Sequence, residues 1–170
     1  MFLRGTPPLN IAAIVSIHGG REFGVEAEVA HRLDLTFDDV EVPIARDALS
    51  IQRAASRRRW AEKNGLREAA PTASDAAAII RFAEAIRNVE GVVLCHCGAG
   101  MSRAPAAALI CLAVWTGTGS EADCIAEVRR LRRGAVPHAG LVRFADELLG
   151  RDGKLVGALR AAQQVEGQSS

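Results

Sequence analysis

The sequence predicts an α/β domain, and three observations carry that prediction. Compact apolar runs at 10–17 and 92–94 have the length and composition of buried strands. Longer stretches around 79–86, 104–114, 125–131 and 141–148 repeat their apolar residues at helical spacing. The run at 92–94 leads through a glycine-rich turn directly into an apolar helix, the strand–loop–helix order of an α/β unit. A chain of 170 residues is the size of one domain and can bury a core unaided by disulfides or metals. The expected domain spans 1–170, with its core over about 10–150.

Taken in order, Asn10 to Ile17 reads as a buried strand that enters a loop at His18, Gly19 and Gly20. Residues 21–30 are polar, with room for a turn or two of helix. His31 to Phe37 alternates, placing Leu33, Leu35 and Phe37 on one side of a half-buried strand. Asp38 and Asp39 follow it, then a loop through Pro43. Within 44–70, Arg53 to Lys63 has helical character and a basic outer face. Thr72 and Asp75 have capping-box spacing ahead of a stripe of Ile79, Phe82, Ala83 and Ile86. Val92 to Leu94 reads as a central strand buried on both faces. The helix at about 104–114 is apolar nearly all round and belongs inside. Ser120 and Asp123 open another helix with a cap pattern, and 134–137 forms a turn. Leu141, Phe144, Ala145 and Leu148 stripe a further helix that Gly150 stops. A short helix over 154–162 and a frayed tail from Gln163 complete the chain.

Composition narrows the function classes. The net charge of +1 gives no support for nucleic acid or a membrane surface as partner. The arginines do cluster, at 57–59 and at 129, 130, 132 and 133. Such clusters are a solvated helix face or a surface that attracts an anionic substrate. No apolar run reaches the roughly 18 residues of a membrane span. The N-terminus lacks an apolar signal core, so the expectation is a cytoplasmic protein with free thiols at Cys95, Cys97, Cys111 and Cys124. Cys111 and Cys124 fall in helical patterns as small buried hydrophobes.

The chemistry concentrates at His96-Cys97-Gly98-Ala99-Gly100-Met101-Ser102-Arg103, between the strand and the apolar helix. A loop that opens a helix presents backbone N–H groups with no intrahelical partner, at the positive end of the helix dipole. Gly98 and Gly100 let the backbone curl so that these groups converge on one anion. Arg103 stands in the first helical turn, where a planar guanidinium can hold two phosphate oxygens. A sulfur at the base of this cradle, Cys97, is placed for in-line attack on phosphorus. The field that binds phosphate also favours the thiolate form of a cysteine. The amides of Gly98, Ala99, Gly100, Met101 and Ser102, with Arg103, would then stabilise the charge of the transition state. Zinc held by Cys95, His96 and Cys97 is the competing reading. Adjacent strand residues point to opposite faces, and no distant ligand pair of suitable spacing exists. The reading calls for no cofactor and no metal.

At this point the chain resembles the cysteine-dependent protein tyrosine phosphatases, in their dual-specificity branch. That family's signature is His-Cys, five residues, Arg, then Ser or Thr, against HCGAGMSRAP at 96–105. VRRLRRGAVPHAGLVRFADELLG at 128–150 resembles its closing helices. FDDVEVP at 37–43 is similar to the general-acid loop of the regenerating-liver phosphatases. The resemblance implies a central, mostly parallel sheet of about four to five strands flanked by helices. It implies phosphotyrosine hydrolysis, with dual specificity as an extension, through a phosphocysteine on Cys97. It also implies a carboxylic acid that protonates the leaving oxygen and then activates water. Asp39 fits that role first and Asp38 second; the other then caps a turn, as Asp75 does for its helix. His96 would orient the loop, and Ser102 would bond locally.

Two departures stand out. Ala104 replaces the Ser or Thr after the arginine, a hydroxyl that helps the thiolate leave, so slow phosphocysteine breakdown is expected. The 44–70 segment is longer than the usual link between acid and cysteine. The expected partner is a phosphorylated protein or a small phosphoester, and the sequence leaves the oligomeric state open. A slow or inactive phosphate-binding module that captures a phosphorylated partner is the alternative from another class. A phosphoinositide or small-molecule phosphatase ranks lower, because lipid-directed relatives carry lysine in the loop and GAGMS has none. Oxidation of Cys97 is plausible, with Cys95 expected on the opposite face and so a poor resolving partner.

Overall fold

The structure, a computed structural model, describes residues 10–19, 29–40, 52, 56, 59, 63 and 69–167, with side chains through 164. Its described residues form a three-stranded parallel sheet and five helices: β1 (Ile11–His18), β2 (His31–Thr36), α1 (Ala73–Ala85), β3 (Val92–His96), α2 (Arg103–Thr116), α3 (Glu121–Leu131), α4 (Ala139–Leu148) and α5 (Lys154–Gly167). The expectations for residues 21–28 and most of 44–70 lie outside the described residues. Gln52, Ser56, Arg59 and Lys63 within that second stretch are helical and exposed.

The strand order is β2-β1-β3, with β1 paired in parallel on both sides. This corrects two expectations. Three strands are present among the described residues, rather than four or five. The central strand is β1, whereas β3 is an edge of the described sheet, and Val92 is 40% exposed. An apolar run signals burial but does not name its neighbours, so pairing partners are decided by tertiary packing. Ala13, Ile14, Val15, Ser16 and Ile17 of β1 are the strand residues that burial removes almost wholly from solvent.

The core lies where Val15, Ile17, Leu35 and Phe37 meet the helices. Helix α2 is its axis: it packs on β1, β3, α1, α3 and α4, which is why it needs apolar residues on nearly every side. Pro105 is tolerated because it sits in the first turn of α2, where a backbone N–H has no intrahelical acceptor and its absence breaks no helical bond. At α1 the capping box forms as expected: the Thr72 side chain accepts from the Asp75 amide, and the Asp75 carboxylate accepts from the Thr72 amide. Ser120 does not cap α3. Its hydroxyl bonds Thr116 and the Gly117 carbonyl, while the Glu121 carboxylate takes the Gly119 amide. The C-terminal helix α5 extends to Gly167 instead of fraying at 163. It is docked by Asp146 of α4, whose buried carboxylate accepts from the amides of Gly153, Leu155 and Val156.

Order β2-β1-β3 has a functional consequence. The chain leaves β1 to one side and then crosses to the other, so the loops after β1 and β3 diverge from one point. In open parallel sheets ligands bind in that crevice, outside the carboxyl ends of the strands. Gly19 follows β1 there, and Cys97 follows β3.

Candidate active site

Cys97 leaves β3 and residues 98–102 form a run of bends before α2. Their outer side is strapped by the turn before α4. Arg132 Nε donates to the Gly100 carbonyl at 3.3 Å and its Nη2 reaches the Ala99 carbonyl at 3.5 Å. Val136 donates its amide to Met101 O at 2.8 Å, and His138 its amide to Ser102 O at 3.2 Å. A trans peptide is planar, with C=O and N–H opposed. Four successive carbonyls drawn toward the 132–138 segment therefore turn the amides of Gly100, Met101, Ser102 and Arg103 the other way. Gly100 makes this turn possible with φ at +67°, a conformation that costs an L side chain. No side chain caps α2, so its first-turn amides are left to face the loop.

Arg103 closes the side of this bend. Its Nη1 donates to the Phe37 carbonyl at 2.7 Å, which pins the guanidinium to the end of β2. Its Nη2 lies 3.7 Å from where a Gly98 Cβ would be. Nε, on the same edge as Nη2, is buried with no hydrogen-bond partner. A buried donor without a partner costs about 1–3 kcal/mol, which an oxyanion on that edge would recover. Gly19 lies close against this site: a Cβ there would fall 2.6 Å from Asp38 Oδ1 and 3.3 Å from Arg103 Nη1, so a side chain at 19 would displace one or both.

The two aspartates separate in their surroundings. Asp38 is clamped by Ala69: its amide donates to Ala69 O at 2.8 Å and its Oδ2 accepts from Ala69 N at 3.1 Å. Asp39 is half-exposed and faces the loop, its Oδ1 accepting from Ser102 Oγ at 2.6 Å. The Ser102 bond is thus not local; it spans 63 positions in sequence.

Cys97 is half-buried at the foot of the loop and packs on the α2 side of the core. Cys95 packs on that same core, contrary to expectation, because two-residue spacing on a strand keeps both side chains on one face. A hydrogen bond with Cys111, followed by burial, pushes the Cys95 thiol well above the ordinary cysteine range. His96 points the other way, its ring edge-on to His18 at 5.9 Å between centroids. Its Nε2 is buried without a partner. Burial first, then the neighbouring His18 and Arg32, lower its pKa below the ordinary histidine value. His18 in turn bonds Ser16 Oγ at 2.6 Å and lies 3.4 Å from Asp34, which Arg32 pairs from two nitrogens.

No group of three or more His, Cys, Asp or Glu suited to a metal exists among the described residues. Sequence reasoning named Arg132 only within an arginine cluster, and did not assign Gly19, the Phe37 carbonyl or His138 to the site. The signal for His138 was only its place after Pro137 and before a helix, and nothing in sequence ties position 138 to position 39. Comparison with known protein families, curated proteins and solved structures finds no match for this chain. No helix among the described residues is long and apolar enough to cross a membrane.

Proposed function

We propose that this protein is a cysteine-dependent phosphomonoesterase of the dual-specificity phosphatase type, acting on aryl phosphates such as phosphotyrosine. The observation that carries the reading is the outward strapping of the carbonyls of residues 99–102, which turns successive amides inward beside the free edge of Arg103. Such an arrangement suits three equatorial oxygens of a phosphoryl group in transfer. Cys97, at the start of that bend, would attack phosphorus as thiolate; the S–P bond forms as the P–O bond to the leaving group breaks. Asp39, held at the loop by Ser102, would give the leaving oxygen its proton and then take one from the water that cleaves the phosphocysteine. The order β2-β1-β3 supports the location, since it sets the Cys97 loop at the switch point.

Ala104 is nearly buried at the head of α2 and offers no hydroxyl to the departing thiolate. A burst of phenol product followed by a slow steady state is the kinetic form this takes. The test of function is hydrolysis of a chromogenic aryl phosphate by the wild-type chain and its loss in Cys97→Ser. Tight oxyanion binding without turnover would favour a phosphate-capturing module instead.

A further inference from the structure

His138 makes more connections at this site than a helix cap requires. Its side chain is 3% exposed. Its Nδ1 accepts from the Leu141 amide at 3.2 Å, capping α4. A ring nitrogen that accepts carries no proton, so the opposite nitrogen of the neutral ring is the donor. That nitrogen, Nε2, lies 2.8 Å from the Val40 carbonyl and 4.0 Å from Asp39 Oδ1. The backbone amide of the same residue bonds Ser102 O, and Ser102 Oγ bonds Asp39. One residue therefore ties α4, the segment bearing Asp39, and the last residue of the loop before Arg103.

Resting on the function proposed above, we propose that His138 is the positioning residue that holds the Asp39 carboxylate at the rim of the phosphate loop. It acts through the Val40 carbonyl: with the chain held there by His138 and at Asp38 by Ala69, the intervening Asp39 has little freedom to swing away from Ser102. Asp39 is half-exposed, and its Oδ1 accepts from Ser102 Oγ at 2.6 Å, a bond that needs the backbone of 39–40 kept close to the loop. A misplacement of about 1 Å in a catalytic group costs on the order of 100-fold in rate.

Two substitutions separate positioning from capping. In His138→Asn the amide oxygen can still cap α4, as asparagine does at helix starts, but no atom reaches the place of Nε2. In His138→Gln the terminal amide reaches Val40, while the cap geometry is lost. Steady-state rates are measured on aryl phosphates that range from a strongly activated nitrophenol to unactivated phenol, with thermal melts on each variant. For His138→Asn we expect a melting temperature near wild type, KM within about twofold, and kcat reduced about 10- to 100-fold for phenyl phosphate. The loss shrinks as the leaving group improves, because a better leaving group needs less proton donation. His138→Gln is expected to melt lower yet keep the wild-type dependence on leaving group. The inference is overturned if His138→Asn loses rate equally across the series or not at all, or if His138→Gln fails to restore the dependence. A wild-type chain inactive on every member overturns the proposed function as well, whereas an active wild type with uniform losses overturns this inference alone.

Discussion

Arg103→Lys tests the site most directly, because the structure separates what the arginine does for the fold from what it does for an anion. For the fold, Nη1 donates one hydrogen bond to Phe37 O at 2.7 Å. Losing it costs about 1 kcal/mol, or about 2–4 °C in melting temperature for a chain of this size. For the anion, the arginine offers two donors on the Nε–Nη2 edge, with Nε buried and unpartnered. Lysine offers a point charge that can replace one of them. The net loss is one charge-assisted hydrogen bond, about 1.5–3 kcal/mol. At 1.36 kcal/mol per decade, kcat/KM falls about 10- to 150-fold. The assay is aryl phosphate hydrolysis, with calorimetric binding of an oxyanion such as tungstate to the same variant and a thermal melt. Activity within about threefold of wild type would refute the reasoning. So would a lowered melting temperature with undiminished oxyanion affinity, since the arginine would then serve only the fold.

Other outcomes are expected. Asp39→Asn should lower kcat for phenyl phosphate by about 100-fold or more, while Asp38→Asn, whose carboxylate is held by the Ala69 amide, should chiefly lower stability; a larger catalytic loss in Asp38→Asn would reverse the two roles. Asp146→Ala leaves three amides at the start of α5 without their acceptor, a loss of about 3 kcal/mol that lowers the melting temperature by about 6–12 °C; a fall under about 2 °C would show that α5 is not docked this way. His96 should titrate by NMR below the ordinary histidine value of about 6.5, because burial and the neighbouring His18 and Arg32 disfavour its charged form. With a lowered folded-state value, the unfolded chain binds the proton first, so this contribution to stability is present above about pH 6.5 and is lost as pH falls through the folded-state value. A midpoint at or above the ordinary value would contradict the burial argument.

The parts legible in sequence were those governed by local rules. Thr72 and Asp75 specify a capping box because its two hydrogen bonds close within one turn of chain. The apolar surround of α2 declares a central helix, since only a helix with neighbours on every side can lose so much apolar surface to the interior. The spacing from Cys97 to Arg103 marks a loop that opens a helix, and glycine at 100 provides for the positive φ found there. Tertiary structure decided whatever depends on segments meeting across the chain. It made β1 the centre of the sheet, gave Ser102 a partner 63 positions away, fixed Arg103 to Phe37, and brought His138 to Val40. The physical reason is that such bonds form only after the core has brought their partners together. Local propensity records the shape of a segment, and long-range hydrogen bonds record where packing has put it.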